Sequence, residues 1–402
     1  MTDSRRILVL GSGFAGLWAA LGSARRLDQL DASDVVDVTV ISKKPFHDIR
    51  VRNYEADLTS CRIPLGDLLD PVGVDHIAGD VTSIDTTART VTTSDNSEHG
   101  YDRLIMALGS QVAKPNLPGV RKYTFDVDTY DGAIELQRHL ARLSDSDGDA
   151  GVATAVVVGA GLTGIETASE LTGALARAFA DRAVTPRVIL VDHNPHVGSD
   201  MGDSARPVIE DALNDNGIEA MTGVGVSSVG ERSVTLSTGQ ELAASTVVWC
   251  AGMRANPLTT QIGHEHDRLG RLPVDDYLRV AGVPDVFAAG DVAAARMDDE
   301  HLSVMSCQHG RPMGRYAGYN VVGDLLGQPI LPLRIPWYVT VLDLGAAGAV
   351  YTEGWDRHVV SRGAEAKATK ININTQRIYP PLNRNREALL AAAAPSLQDR
   401  PE

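Results

Sequence analysis

The chain has 402 residues, 43% of them hydrophobic and 22% charged, which is enough for two or three globular domains at roughly 100–200 residues each. A formal net charge of -15 argues against a nucleic-acid partner, whose phosphates need clustered Lys and Arg, and against unaided docking on an anionic membrane. The three cysteines, Cys61, Cys250 and Cys307, lie far apart with no paired spacing, so neither a disulfide framework nor a metal cluster is implied.

Met1–Arg6 runs straight into an apolar strand and leaves no room for the roughly seven apolar residues of a signal peptide. The expected location is therefore cytoplasmic. No stretch approaches the roughly 20 apolar residues of a spanning helix, so membrane contact is expected to be peripheral at most. Ile7–Leu10, the turn Gly11-Ser12-Gly13-Phe14-Ala15-Gly16, a helix over Phe14–Leu27 and a strand over Val35–Ser42 read as one β-α-β unit. In such a turn the first glycine permits the tight bend, the second lets backbone approach a pyrophosphate, and the third lets helix pack on strand. The helix that follows aims its free N–H groups at the phosphates. The usual companion is an acid at the end of the second strand, which accepts from ribose hydroxyls. Here that place holds Ser42, followed by Lys43 and Lys44.

Thr90–Thr93 and Glu98–Tyr101 are predicted to form a hairpin, followed by a buried strand over Leu104–Gly109. Ser144–Gly151, rich in Ser, Asp and Gly, is the expected crossing into an inserted domain. The first pattern then recurs: strand Ala155–Val158, turn Gly159-Ala160-Gly161-Leu162-Thr163-Gly164, helix Gly164–Ala180 and strand Arg187–Asp192. Asp192 fills the acid position, and a carboxylate there repels a 2′-phosphate, so NADH is expected over NADPH. A second hairpin over Ser233–Ser237 and Glu241–Leu242 leads to a strand at Thr246–Cys250 that closes on Ala251-Gly252. Val286–Ala289 reads as a buried strand ending in Gly290-Asp291, with a helix beginning at Val292–Ala295. The Asp291 carboxylate can accept a hydrogen bond from a ribityl hydroxyl of a flavin. The C-terminal block carries strand-like runs at Trp337–Leu342 and Lys370–Asn374.

Ala288-Ala289-Gly290-Asp291 resembles the second FAD motif of the two-dinucleotide-domain flavoprotein oxidoreductases, the pyridine nucleotide-disulfide oxidoreductase superfamily. Gly159-Ala160-Gly161-Leu162-Thr163-Gly164-Ile165-Glu166, running on to Leu171, is similar to the NADH-binding signature of type II NADH dehydrogenases. Arg103–Ser110 resembles that family's crossover strand, with Leu108 where Thr is usual, and Thr246–Arg254 resembles its counterpart in the NADH domain. The resemblance implies an α/β fold of two Rossmann-like domains of the three-layer ββα type plus a C-terminal α+β domain. The expected boundaries are 1–125 and 255–325 for the FAD domain, 126–254 for the inserted NADH domain, and 326–402 for the C-terminal interface domain.

Under this likeness FAD is expected against Gly11, Gly13, Phe14, Ala15, Gly16, Ser42, Lys43, Val81 (through its backbone, at the adenine), Ala107, Gly109, Gly290 and Asp291. NADH is expected against Gly159, Gly161, Leu162, Thr163, Gly164, Glu166, Asp192 and Gly252, with Glu166 beside the nicotinamide. Type II dehydrogenases line a quinone pocket with two glutamines one helical turn apart. This chain keeps Gln308 and places Pro312 at the second position. The membrane-binding C-terminal helices of that family have no counterpart in Asn383–Glu402, which mixes charge, alanine and proline. Disulfide reductases of the superfamily carry cysteine facing the flavin; Pro45–Tyr54 has none, and Cys61 comes later without a partner. His47 reads either as a neighbour of the flavin or as a structural histidine. Trp337, Tyr338, Tyr351 and Trp355 read either as the acceptor-side wall or as core aromatics of a sheet.

The expected activity is that of an FAD-dependent NADH dehydrogenase with Glu166 and Gln308 at the reacting centre. Hydride would pass from NADH to FAD, and electrons onward to a small-molecule acceptor such as a quinone, with no redox-active disulfide. A homodimer is compatible with this reading. Two alternatives stay open: a ferredoxin- or rubredoxin-reductase-like flavoprotein, and a low-turnover flavin- or NADH-binding sensor.

Overall fold

The computed structural model describes residues 4–143, 150–263 and 265–401; the expected crossing at Ser144–Gly151 lies outside them except for its last two residues. Ile7, Leu8, Val9 and Leu10 are all buried, because strand Arg5–Leu10 runs through the middle of a parallel sheet, where neither face meets water. That sheet runs in the order Val286–Ala288, Arg103–Met106, Arg5–Leu10, Val36–Ser42, Asp75–Ala78, with Val9 opposite both Val40 and Ile105. A second parallel sheet repeats the design in the order Ile218–Met221, Arg187–Val191, Thr154–Val158, Thr246–Trp249. Each central strand feeds a glycine turn and then a long helix, Phe14–Gln29 in one case and Leu162–Ala178 in the other. Each parallel sheet is accompanied by a small antiparallel one: Val81–Asp85, Thr90–Thr93 and Glu98–Gly100 in the first case, Val226–Val229, Ser233–Leu236 and Glu241–Ala243 in the second. The fold is thus α/β and built twice over.

Helix Cys307–Leu325 lies along helix Phe14–Gln29. Gly310, Gly314 and Gly318, spaced four apart, give it a bare stripe; a Cβ at Gly314 would collide with the Ala15 carbonyl oxygen, and one at Gly318 with that of Ala19. The two helices therefore approach more closely than side chains would allow. The C-terminal block is an antiparallel sheet of Val339–Asp343, Ala349–Glu353 and His358–Gly363, followed by helix Ala364–Asn372. The chain then returns to the first domain: in helix Arg386–Ala392 both Leu389 and Leu390 are buried, and Arg25 donates to the Leu390 carbonyl at 2.9 Å.

Two expected elements are corrected. Val292–Ala295 does not begin a helix: Gly290–Val292 is a tight turn, and Ala293–Ala294 is extended because it pairs in parallel with Leu272–Pro273. Lys370–Asn374 is not a strand. The alanine-rich start at Ala364 propagates as helix through Asn372, and Ile373–Arg377 widens into a single π turn, with the Ile378 N–H reaching the Ile373 carbonyl.

Candidate active site

At the first glycine turn the Gly11 N–H donates to the Ile41 carbonyl (2.8 Å) and Ser12 Oγ to the Phe46 carbonyl (2.9 Å), which fixes the loop against the second strand. Gly13 is exposed, with open space where a Cβ would lie. Phe14 opens the helix edge-on to His47 (5.2 Å between ring centroids). Ala15 lies under Gly290, Gly16 packs against Gly11, and Gly11 in turn meets Ala107. Ala107 N–H donates to the Leu10 carbonyl, and the Gly109 carbonyl accepts from Asn256 N–H. Val81 begins its strand with its side chain buried. Ser42 is buried as well, but its hydroxyl is engaged by the Lys44 carbonyl (2.8 Å) and His76 Nε2 (2.9 Å). Lys43 points outward to Asp80 at 2.9 Å.

Asp291 accepts from Ser110 Oγ at 2.5 Å and lies 3.8 Å from the Arg50 guanidinium, which also pairs with Asp128. Burial pushes the Asp291 carboxyl above its ordinary range, against the pull of Arg50 and Ser110. Neither Arg50 nor Ser110 was among the expected site residues. Arg50 sits in the Pro45–Tyr54 segment, where the sequence drew attention only to His47 and to the lack of cysteine.

At the second turn Gly159 has φ +107°, and a Cβ at Gly164 would collide with the Gly159 carbonyl oxygen, so both positions require glycine. Asp192 is 7% exposed. One of its oxygens accepts from the Ala160 N–H at 2.5 Å and the other from Asn194 N–H at 2.7 Å. Its spare lone pairs remain for a ligand hydroxyl.

A cavity of about 850 Å³ brings Gly159, Gly161, Leu162, Thr163, Gly164, Glu166, Asp192 and Gly252 together with Arg50 and Gln308. None of the residues expected to hold FAD lines this cavity. Of these residues Asp291 reaches it through Arg50, which lines the cavity. Gln308 Nε2 is buried with no hydrogen-bond partner. Its helix starts at a Ser306 cap whose Oγ accepts from His309 N–H. Pro312 lies within the helix and has no N–H to give the Gln308 carbonyl four residues back.

Glu166 is 6% exposed and accepts from Lys370 Nζ at 2.7 Å and from Asp343 N–H at 3.1 Å. Asp343 also meets Lys367 (2.5 Å) and the Tyr54 hydroxyl (3.2 Å). Burial pushes Glu166 upward, while Lys370 and the Asp343 N–H pull it back. Burial alone would lower Lys370, but Glu166 and Asp343 hold it above its ordinary range as an ammonium. Lys370 is a partner of Glu166 that sequence reasoning missed, since the two are 204 residues apart.

The four aromatics separate. Trp337 and Tyr338 line the cavity, and Trp355 stacks behind Tyr338 at 4.8 Å. Tyr351 lies elsewhere, in strand Ala349–Glu353, with its hydroxyl bonded to Glu353 and to the Pro401 carbonyl. His47 is fully buried with Nδ1 against the Ser12 carbonyl, and burial holds it down to about 4. Cys61 is buried and pushed up to about 11, mainly by desolvation, and the three cysteines are free thiols. Among the described residues there is no metal-binding cluster and no helix long and apolar enough to cross a membrane.

The sequence profile of the pyridine nucleotide-disulphide oxidoreductase family matches residues 5–314. An NADH dehydrogenase-like protein of Mycobacterium tuberculosis is 68% identical over 398 residues, covering 98% of this chain and 100% of the relative. The demethylphylloquinone reductase of a Synechocystis species is 28% identical, covering 87% of each chain. Among solved structures, NDH2 of Plasmodium falciparum in complex with NADH superposes with a TM-score of 0.77 at 14% identity, covering 97% of each chain.

Proposed function

Because the chain belongs to the pyridine nucleotide-disulphide oxidoreductase family, we propose that it is an FAD-dependent NADH dehydrogenase delivering electrons to a small quinone-class acceptor, without a redox-active disulfide. The observation that carries the reading is the shared cavity, which joins the second glycine turn to Gln308, Lys370 and the aromatic wall. The net change is NADH, a proton and the oxidised quinone going to NAD and the hydroquinone.

The residues fit a flavin. Gly13 leaves an open cradle at the start of a helix, Asp291 is held for a ribityl hydroxyl, and Gln308 Nε2 is a buried donor without a partner. FAD, when bound, supplies the ring that takes up hydride and releases electrons. Gly11, Gly13, Phe14, Ala15 and Gly16 would cradle its pyrophosphate, with Val81, Ala107, Gly109 and Gly290 along its length. Ser42 already gives its proton to the Lys44 carbonyl, so its part at the adenosine ribose is reduced to accepting. Gly159, Gly161, Leu162, Thr163, Gly164 and Gly252 would seat NADH, and Asp192 would take its ribose hydroxyls. Glu166, fixed by Lys370, would bound the nicotinamide face, and the start of helix Cys307–Leu325 would direct its N–H groups at developing negative charge. Holding two rings at reacting distance is the main catalytic demand, so no acid–base dyad is needed.

We place the protein in the cytoplasm with at most peripheral membrane contact, as a homodimer; cell fractionation and light scattering check the two points. The function is tested by anaerobic titration. The purified protein should be yellow, or become so with added FAD, and NADH should bleach it. A protein that stays colourless after reconstitution refutes the reading.

A further inference from the structure

Helix Cys307–Leu325 carries Arg311 and Arg315, one turn apart, and both line the cavity. They are 6% and 4% exposed. Their guanidinium carbons stand 5.5 Å and 4.3 Å from the centre of the Trp18 ring. Among the described residues no carboxylate lies within 4.0 Å of either, and the Nε of each is buried without a hydrogen-bond partner. Arg377, which also lines the cavity, gives its Nη2 to the Asp399 carbonyl and likewise has no acid within 4.0 Å among the described residues. Desolvation lowers Arg311 and Arg315 to about 10; at Arg311 the like charge of Arg315 adds to the effect, Cys307 opposes it, and Arg377 adds a smaller share. Both stay cationic at neutral pH.

This is a chain with an excess of acids, and other arginines use them: Arg103 and Arg279 share Asp324, and Arg271 pairs with Asp267. A buried cation left without a counter-ion is costly, and a single aromatic face returns only part of that cost. The FAD pyrophosphate does not supply the missing charge: under the proposed function it belongs to the Gly11–Gly16 turn, no residue of which lines this cavity. The NADH pyrophosphate belongs to the Gly159–Gly164 turn, which does line it, and is met there by the free N–H groups of helix Leu162–Ala178. The same cavity carries apolar and aromatic lining, Ile335, Trp337, Ile373, Ile378 and Leu397 among it.

Resting on the proposed NADH dehydrogenase function, we infer that the electron acceptor is itself an anion: a flat apolar quinone bearing a carboxylate or similar group, which Arg311 and Arg315 grip while its ring lies along the apolar wall toward Gln308. Guanidinium pairs suit such a group because their forked donors match two oxygens at once.

The test uses holoenzyme and two redox-inert ligands, naphthoate and its neutral analogue naphthamide, titrated against tryptophan fluorescence. Naphthoate should bind about tenfold or more tightly than naphthamide, as a charge-assisted pair predicts. Arg311→Met and Arg315→Met should each remove about tenfold of that preference and leave naphthamide nearly unchanged. With NADH as donor, a carboxylated naphthoquinone should exceed the unsubstituted naphthoquinone in kcat/KM by a similar factor. Arg311→Met should hold or raise the melting temperature, since it deletes an uncompensated charge; an arginine retained for structure would lower it. Equal affinity for the two ligands in the wild-type protein overturns the inference without any variant having to fold, as does an unchanged preference in both variants. Failure of NADH to bleach the flavin would strike the underlying function instead, and the ligand titration reads independently of it.

Discussion

Replacing Lys370 by Met leaves Glu166 buried with a single remaining partner, the Asp343 N–H at 3.1 Å. The side chains of the pair are 7% and 12% exposed, so solvent cannot take over from the lost ammonium. Removing one member of a buried ion pair costs about 3–5 kcal/mol, because the survivor keeps its desolvation penalty. The Asp343 N–H is a charge-assisted donor that returns part of this, which puts Lys370→Met near the lower end, at about 3 kcal/mol. Glu166→Gln should cost less, about 1–2 kcal/mol, since Lys370 retains the Val341 carbonyl at 3.1 Å. The double variant Glu166→Gln, Lys370→Met has no stranded charge, so the cycle should show a coupling of about 2 kcal/mol. Urea unfolding of the four proteins measures it. Lys370 is held above its ordinary value by Glu166 and Asp343 once burial has been overcome. Its contribution is therefore full below the unfolded lysine value of about 10.4 and fades only as pH rises through the folded value. Additive effects, or a Lys370→Met cost under about 0.5 kcal/mol, would show that no pair holds the C-terminal block to the second glycine helix.

His47 and His309 are buried and held down from 6.5 to about 4 by desolvation. A base depressed in the fold stabilises it above about 6.5 and loses that support as pH falls toward 4, about 3 kcal/mol for each ring. Acid unfolding should therefore set in across that window, and His47→Phe should move the midpoint to lower pH; an unmoved midpoint refutes the assignment. Asp192→Ser should raise the NADPH to NADH ratio of kcat/KM by about tenfold or more, by removing a carboxylate that repels a 2′-phosphate, while a ratio that stays put removes Asp192 from the ribose site. Cys61→Ser should leave NADH turnover within about twofold, since a buried thiol pushed up to about 11 is no nucleophile at neutral pH; a loss of turnover would reopen thiol chemistry.

The nucleotide turns were legible because their chemistry is local: strand, three glycines and helix are contiguous, and so are Gly290 and Asp291. What stayed hidden depends on partners far along the chain. Ser42 looked available for a ribose until the structure placed His76 beside it. Alternating Ile and Asn over 371–374 mimics a strand, yet the helix begun at Ala364 runs on and carries Lys370 to Glu166. Alanines 293–295 mimic a helix start, yet pairing with Leu272–Pro273 keeps two of them extended.

Arg311 and Arg315 illustrate the limit most sharply. Two arginines four apart on a helix ordinarily describe a solvated face. Here the glycines at 310, 314 and 318 settle the matter, because they press this helix onto helix Phe14–Gln29 and bring its arginines alongside Trp18. The small residues thus determine where the large charged ones go. Gly314→Val would put a Cβ against the Ala15 carbonyl and Trp18 Cβ, force the helices apart, and return both guanidiniums toward water. That variant should lose its preference for naphthoate over naphthamide with both arginines still present, and a preference that survived it would mean the helix contact does not set the arginines' environment.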